Sequence, residues 1–201
     1  MKVSISPGNT KLGAIPSVSL PAVETCPRDA PCYNTCYANK LMKLRKTVRD
    51  SYDRNLDCLR NTPRDYWRQV EGAIMMNRYF RFHVSGDIVD EDYFTHMIAV
   101  ASRNPECEIL CFTKKYDIVN NWLWGGHNIP GNLHIIFSVW RDYECYNPFD
   151  LPEAHVRYKD GFTTANIEQA KECGGNCTEC AIVNGGCWTL RDGEQIVFNQ
   201  H

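Results

Sequence analysis

Long apolar runs are missing from this sequence. Nowhere do about 18 apolar residues follow one another, so a membrane-spanning helix of ordinary length is excluded. The opening MKVSISPGNTKLG has no apolar core of the kind that export signals carry, so the expected location is the cytoplasm, with no membrane partner. Charge of one sign is missing as well. The 22 Lys and Arg against 24 Asp and Glu give a net charge of −2 and a pI near 6.3. Nothing global then draws the chain to nucleic acid or anionic membrane, and any such partner needs a local patch. Internal repeats and low-complexity linkers are absent too, which leaves 201 residues to form a single domain, 1–201. Within it we expect an N-terminal segment with a cysteine loop (1–37), a βα region (38–170) and a cysteine-rich C-terminal segment (171–201).

Cysteine, by contrast, is abundant. Eleven are present, and in a reducing compartment metal or redox chemistry is a better use for them than disulfides. Cys58, Cys107, Cys111 and Cys145 stand among apolar or aromatic neighbours and read as small buried hydrophobes. The other seven lie in loop sequence rich in Gly, Pro, Asn and Asp. TCPRDAPCYNTCYANKLMKL carries Cys26, Cys32 and Cys36 straight into a helix, whose free N–H groups and dipole favour thiolates. Three thiolates can hold a 4Fe-4S cluster with one iron left open. CGGNCTECAIVNGGCW supplies four more, Cys173, Cys177, Cys180 and Cys187, enough for a closed site. Three plus four matches one open and one fully ligated cluster. A four-thiolate zinc site at the second group, or one cluster fed from both ends, satisfies the same count.

Periodicity alternates along the chain. A helix fits 38–60, and another should start after Thr62 with Pro63 in its first turn. RYFRFHVSGD reads as a buried strand, with Asp90 capping the helix that follows. EILCFTKK is a strand, YDIVNNWLW a short helix, NLHIIFSVW and AHVRYKD strands, and TTANIEQAKE a short helix. Strands alternating with helices imply an α/β fold with a parallel sheet, and the length is too small for a complete eight-stranded barrel. The expected fold is therefore a partial, open parallel βα barrel, its strands near 80–85, 107–112, 133–139 and 154–158 adjacent, and the cysteine loop at their C-terminal edge. WTLRDGEQIVF, with Asp192-Gly193 between apolar runs, predicts a small terminal β hairpin.

NTKLGAIPSVSLPAVETCPRDAPCYNTCYANK, FRFHVSGDIVDEDYF and the terminal CxxCxxxxxxCW together resemble the phage gene-product-88-like family. More distantly, CYA after a cysteine loop, SGD after one strand and FTKK ending the next are similar to phage proteins related to radical S-adenosylmethionine (SAM) enzymes. The resemblance implies a bacterial or phage-infected host cell and a radical-SAM-like core. It makes Cys26, Cys32 and Cys36 the catalytic-type cluster loop and the C-terminal cysteines auxiliary. Ser85-Gly86-Asp87 stands where a turn would receive the amino group of SAM. The spacing C-x5-C-x3-C departs from the CxxxCxxC of radical SAM enzymes, a spacing that Cys173, Cys177 and Cys180 happen to show.

His83 reads either as a satisfied core residue or as an acid, base or ligand. Lys114, at a strand end, reads as solvated or as a positive charge beside an anionic site. Asp87, His83 and Lys114 are thus the candidate catalytic residues. The stretch Lys40–Arg68 holds nine Lys and Arg against four Asp, a solvated helical face before it is a nucleic-acid contact. The expectation is an iron-sulfur protein of redox or radical type with one or two 4Fe-4S clusters, SAM as a candidate cofactor, and ferredoxin or flavodoxin as a candidate electron donor. The alternatives are an electron-transfer or sensing protein without a substrate, and a zinc-stapled nucleic-acid-binding module.

Overall fold

Runs such as YFRF, EILCFT and LHIIFSV are apolar on both faces of an extended chain, which suits a sheet covered on both sides. The computed structural model, which describes residues 2–200, folds them that way. The chain begins with two short strands, β1 (Ile5–Ser6) and β2 (Ser17–Val18), and one helical turn, α1 (Ala22–Thr25). Three helices follow: α2 (Tyr37–Leu44), α3 (Lys46–Asn61) and α4 (Pro63–Met75). Strands then alternate with helices as β3 (Tyr79–Phe82), α5 (Glu91–Arg103), β4 (Glu108–Thr113), α6 (Tyr116–Trp124), β5 (Leu133–Val139) and β6 (Glu153–Arg157). Last come β7 (Lys171–Glu172), α7 (Cys177–Val183), a 3-10 turn (Gly186–Thr189) and β8 (Gln195–Asn199).

All eight strands form one sheet in the order β1-β2-β3-β4-β5-β6-β8-β7. Among the described residues β1/β2 is the one antiparallel strand pair, and the sheet does not close. The four strands expected to lie parallel and adjacent are β3 to β6. Alternation sorts their side chains between two cores. Phe80, Phe82, Ile109, Cys111, Ile135 and Phe137 meet the helices on one face, packed with Val70, Phe94 and Met97. Leu110, Ile136, Ala154 and Ile196 face the other way, against Leu12, Ile15, Trp188 and Leu190. The C-terminal cysteine segment covers this second face in place of a helix layer.

Several expectations need correction. The helix over 38–60 is two helices, broken at Arg45 in an extended conformation (φ −121°, ψ 96°). Leu44 is exposed, whereas Leu56 and Cys58 are buried, so α2 and α3 bury different faces and no single stripe serves both. TTANIEQAKE forms turns ending in β7, and Ile167 points to solvent, so a helix there would have had no apolar face to bury. The terminal hairpin does not form. Asp192-Gly193 does turn (Gly193 φ 76°), but Trp188 and Leu190 sink into the second core from the 3-10 turn, and β8 pairs in parallel with β6 over five residues. The strand expected to run to residue 85 stops at Phe82, because His83 takes up a left-handed conformation (φ 60°). β1 and β2 escaped notice because two residues each are too few to show a period.

Candidate functional site: a cysteine-lined cavity at the strand ends

The loop between α1 and α2 lies across the C-terminal edge of the parallel strands. Cys26 closes α1 and Cys36 is the N-cap of α2, so both positions are fixed by helix ends. Cys26, Cys32 and Cys36 open onto one cavity of about 470 Å³, together with Ser85, Gly86, Asp87, Lys114, Ser138 and Trp140 from the ends of β3, β4 and β5. Active sites of parallel βα folds occupy this edge. Burial pushes the Cys26 thiol up, Asp87 adds to the effect and Lys114 opposes it, with smaller contributions from Cys32 and Cys36. Cys32 is raised by the same burial, again opposed by Lys114. The three thiols and the lysine therefore share one electrostatic neighbourhood.

Ser85-Gly86-Asp87 ties the cysteine loop to the sheet. The Ser85 hydroxyl donates to Leu20 O at 2.9 Å, and the Leu20 N–H donates back to Ser85 O at 2.9 Å. The Asp87 N–H donates to Thr25 Oγ1 at 3.1 Å. The Asp87 carboxylate accepts from the Thr113 hydroxyl (2.6 Å), the Lys114 N–H (3.0 Å) and the Ile88 N–H (2.8 Å). Gly86 has φ 87°, and a Cβ there would stand 2.8 Å from Thr25 Oγ1 and 2.9 Å from Leu20 O, so glycine is what lets loop and turn approach. Burial pushes the Asp87 carboxyl above its ordinary range, against its hydrogen bonds.

His83 borders the cavity, yet its ring is engaged on the helix side. Nε2 and the Tyr93 hydroxyl are hydrogen-bonded at 3.0 Å, Tyr93 reaches the Tyr66 hydroxyl at 3.0 Å, and Nδ1 lies 4.0 Å from Cys111 Sγ. Burial lowers this imidazole to about 3, which keeps it neutral. Lys114 Nζ donates to Ser138 Oγ at 3.1 Å and sits over the Trp140 ring.

The C-terminal cysteines gather elsewhere, under the second face of the sheet. Cys187 is pushed up to about 12 by burial, with additions from Cys173, Cys177 and Cys180, so these four also feel one another. Cys177 begins α7, whose N-cap Asn176 accepts the N–H groups of Thr178 and Glu179. Gly174 and Gly186 bracket Cys180: a Cβ on Gly186 would come within 2.7 Å of Cys180 Cβ, and one on Gly174 within 3.4 Å of its Sγ. Among the described residues no three His, Cys, Asp or Glu converge as a site for a metal ion.

Two contributors were not legible in the sequence. Arg81, on β3, lines the cavity, lies over the Phe112 ring and influences Cys177 and Cys187, which places it between the two cysteine groups. Its signal was a charge in an otherwise apolar strand. His155, on β6, is hydrogen-bonded to Glu153 Oε2 at 3.0 Å and Thr164 Oγ1 at 2.8 Å. Within the basic stretch Lys46, Arg60 and Arg68 pair with Asp50, Glu24 and Asp65.

Fold and site define an open, mostly parallel α/β protein whose strand ends and loop cysteines enclose a common cavity. The profile of the family described as gene product 88 matches residues 3–187, and the chain belongs to that phage gene-product family. No curated protein and no solved structure matches the chain.

Proposed function

We propose that the protein is an iron-sulfur redox enzyme of radical type, built on a partial βα barrel similar to the radical SAM core. The observation that carries this reading is the meeting of three loop thiols, a glycine-containing turn and a lysine on one cavity at the C-terminal edge of parallel strands. Three thiolates hold a 4Fe-4S cluster with one iron left open, and four close one. Cys26, Cys32 and Cys36 would hold an open-site 4Fe-4S cluster, and Cys173, Cys177, Cys180 and Cys187 an auxiliary one beside the glycines around Cys180. When bound, the open-site cluster would supply single electrons and one iron without a cysteine.

The chain's own residues set the conditions for that chemistry. Lys114 and the first N–H groups of α2, at Tyr37 and Ala38 on the cavity wall, offset the negative charge of the thiolates. Asp87, with its oxygens already engaged, acts as a positioning residue that fixes the loop. A ligand's amino group would then meet the Gly86 backbone rather than the Asp87 side chain. His83 stays neutral and directed away, so it leaves the open iron to an exogenous ligand. The electrons would come from a small redox protein such as a ferredoxin or flavodoxin.

Anaerobically prepared, reduced protein tests the radical reading. SAM should alter its electron paramagnetic resonance signal and yield 5′-deoxyadenosine. A signal indifferent to SAM, with no such product, leaves electron transfer as the function.

A further inference from the structure

The chain carries a net charge of −2, but the cavity wall reverses that balance. Lys11, Lys40, Arg81, Lys114 and Lys159 border it, and Asp87 is the one carboxylate among its described lining residues. Asp87 is already engaged by Thr113, Lys114 and Ile88, so it has little left to offer a cation. Three of the cations are also held in place. Arg81 lies 4.8 Å from the Phe112 ring centroid, Lys114 5.3 Å from that of Trp140 and Lys11 4.9 Å from that of Phe198, and all three rings line the same cavity. A cation backed by a ring keeps its position and has less freedom to lose on binding.

Arg81 supplies a second, independent observation. Its Nε is buried and has no hydrogen-bond partner among the described residues, a costly state for a charged donor. The guanidinium fork suits phosphate oxygens, and lysines add point charge beside it. At about 470 Å³ the cavity exceeds what inorganic phosphate fills and lies in the range of small-molecule sites, while Leu12, Val84 and Val156 give it apolar wall for an organic body.

We infer that the cavity binds a phosphorylated small molecule of about nucleoside monophosphate size, held by Arg81 and Lys114. This deepens the reading above by naming a substrate class and rests on it for the reaction, not for the binding.

The test is equilibrium binding to anaerobically prepared protein, with AMP, adenosine and ribose 5-phosphate as probes and citrate as competitor. Iron and sulfide are measured on the same sample, so loss of the cluster reading is seen separately from loss of binding. AMP should bind at least tenfold tighter than adenosine, as about one charge-assisted contact requires. Added salt should weaken AMP and spare adenosine, and ribose 5-phosphate should compete with AMP. Arg81→Gln should remove most of the AMP preference and Arg81→Lys restore part of it, with circular dichroism checking the fold. Should Arg81→Gln misfold, Lys114→Gln reports on the same preference. Equal affinity for AMP and adenosine, no binding of any phosphorylated probe, or citrate displacing AMP better than ribose 5-phosphate would each overturn the inference.

Discussion

The Thr113 hydroxyl donates to Asp87 Oδ1 across 2.6 Å, a bond from the end of β4 to the turn after β3. Since that turn also holds Leu20 and Thr25, this one contact links the sheet to the loop that carries the cysteines. Thr113→Val preserves shape but strips a buried carboxyl of a donor, so it should cost about 1–3 kcal/mol in denaturant unfolding. Thr113→Ser should recover most of the loss. A Val variant as stable as the parent would show that the loop is held by other means.

His83 makes stability depend on acid. Its folded-state value of about 3 lies below the ordinary 6.5 because of burial, so between these values the unfolded chain binds the proton and the folded chain does not. The contribution is therefore complete above about pH 6.5 and is lost as pH falls toward 3, up to about 5 kcal/mol across the window. Unfolding free energies of the parent and of His83→Gln should converge as pH falls through this window. Parallel curves would mean that the imidazole is protonated within the fold.

Gly186 offers a test of the C-terminal cysteine group. Gly186→Ala places a methyl group 2.7 Å from Cys180 Cβ at a position with φ 51°, whereas Gly126→Ala meets nothing within 4 Å at φ 77°. Both pay the left-handed strain of about 1–2 kcal/mol, so metal content separates them. Bound metal should fall in the Gly186 variant and hold in the Gly126 variant. Equal retention would disconnect Cys180 from the site.

Much of the sheet was legible because two-sided burial forces nearly unbroken apolar strands, as in EILCFT and LHIIFSV, and because Asp90 does cap α5, accepting the Tyr93 N–H at 2.8 Å. The failures have a common physical origin. Asp192-Gly193 makes the turn that its sequence favours, but partner choice for β8 depends on β6, 38 or more residues away in the chain and invisible to local pattern. The same holds at the site. Loop composition singled out Cys26, Cys32 and Cys36, yet Arg81 gave only the signal of one charge in a strand, and its place between the two cysteine groups depends on which distant segments cover that face of the sheet. His83 shows the converse: its ring goes to Tyr93 because the backbone turns left-handed there, which strand alternation cannot anticipate.

Metal analysis of protein prepared without oxygen tests the central claim most directly, with Cys58→Ala, Cys180→Ala and the triple Cys26→Ala, Cys32→Ala, Cys36→Ala variant alongside the parent. Cys58 is buried in the helix-side core, so its variant should keep the metal and lose only about 1 kcal/mol of packing. The parent should be brown, with iron and sulfide in near-equal amounts. The triple variant and Cys180→Ala should each lose part of that iron, from different sites. Stoichiometric zinc without sulfide, or iron that is indifferent to all of these substitutions, would contradict the account.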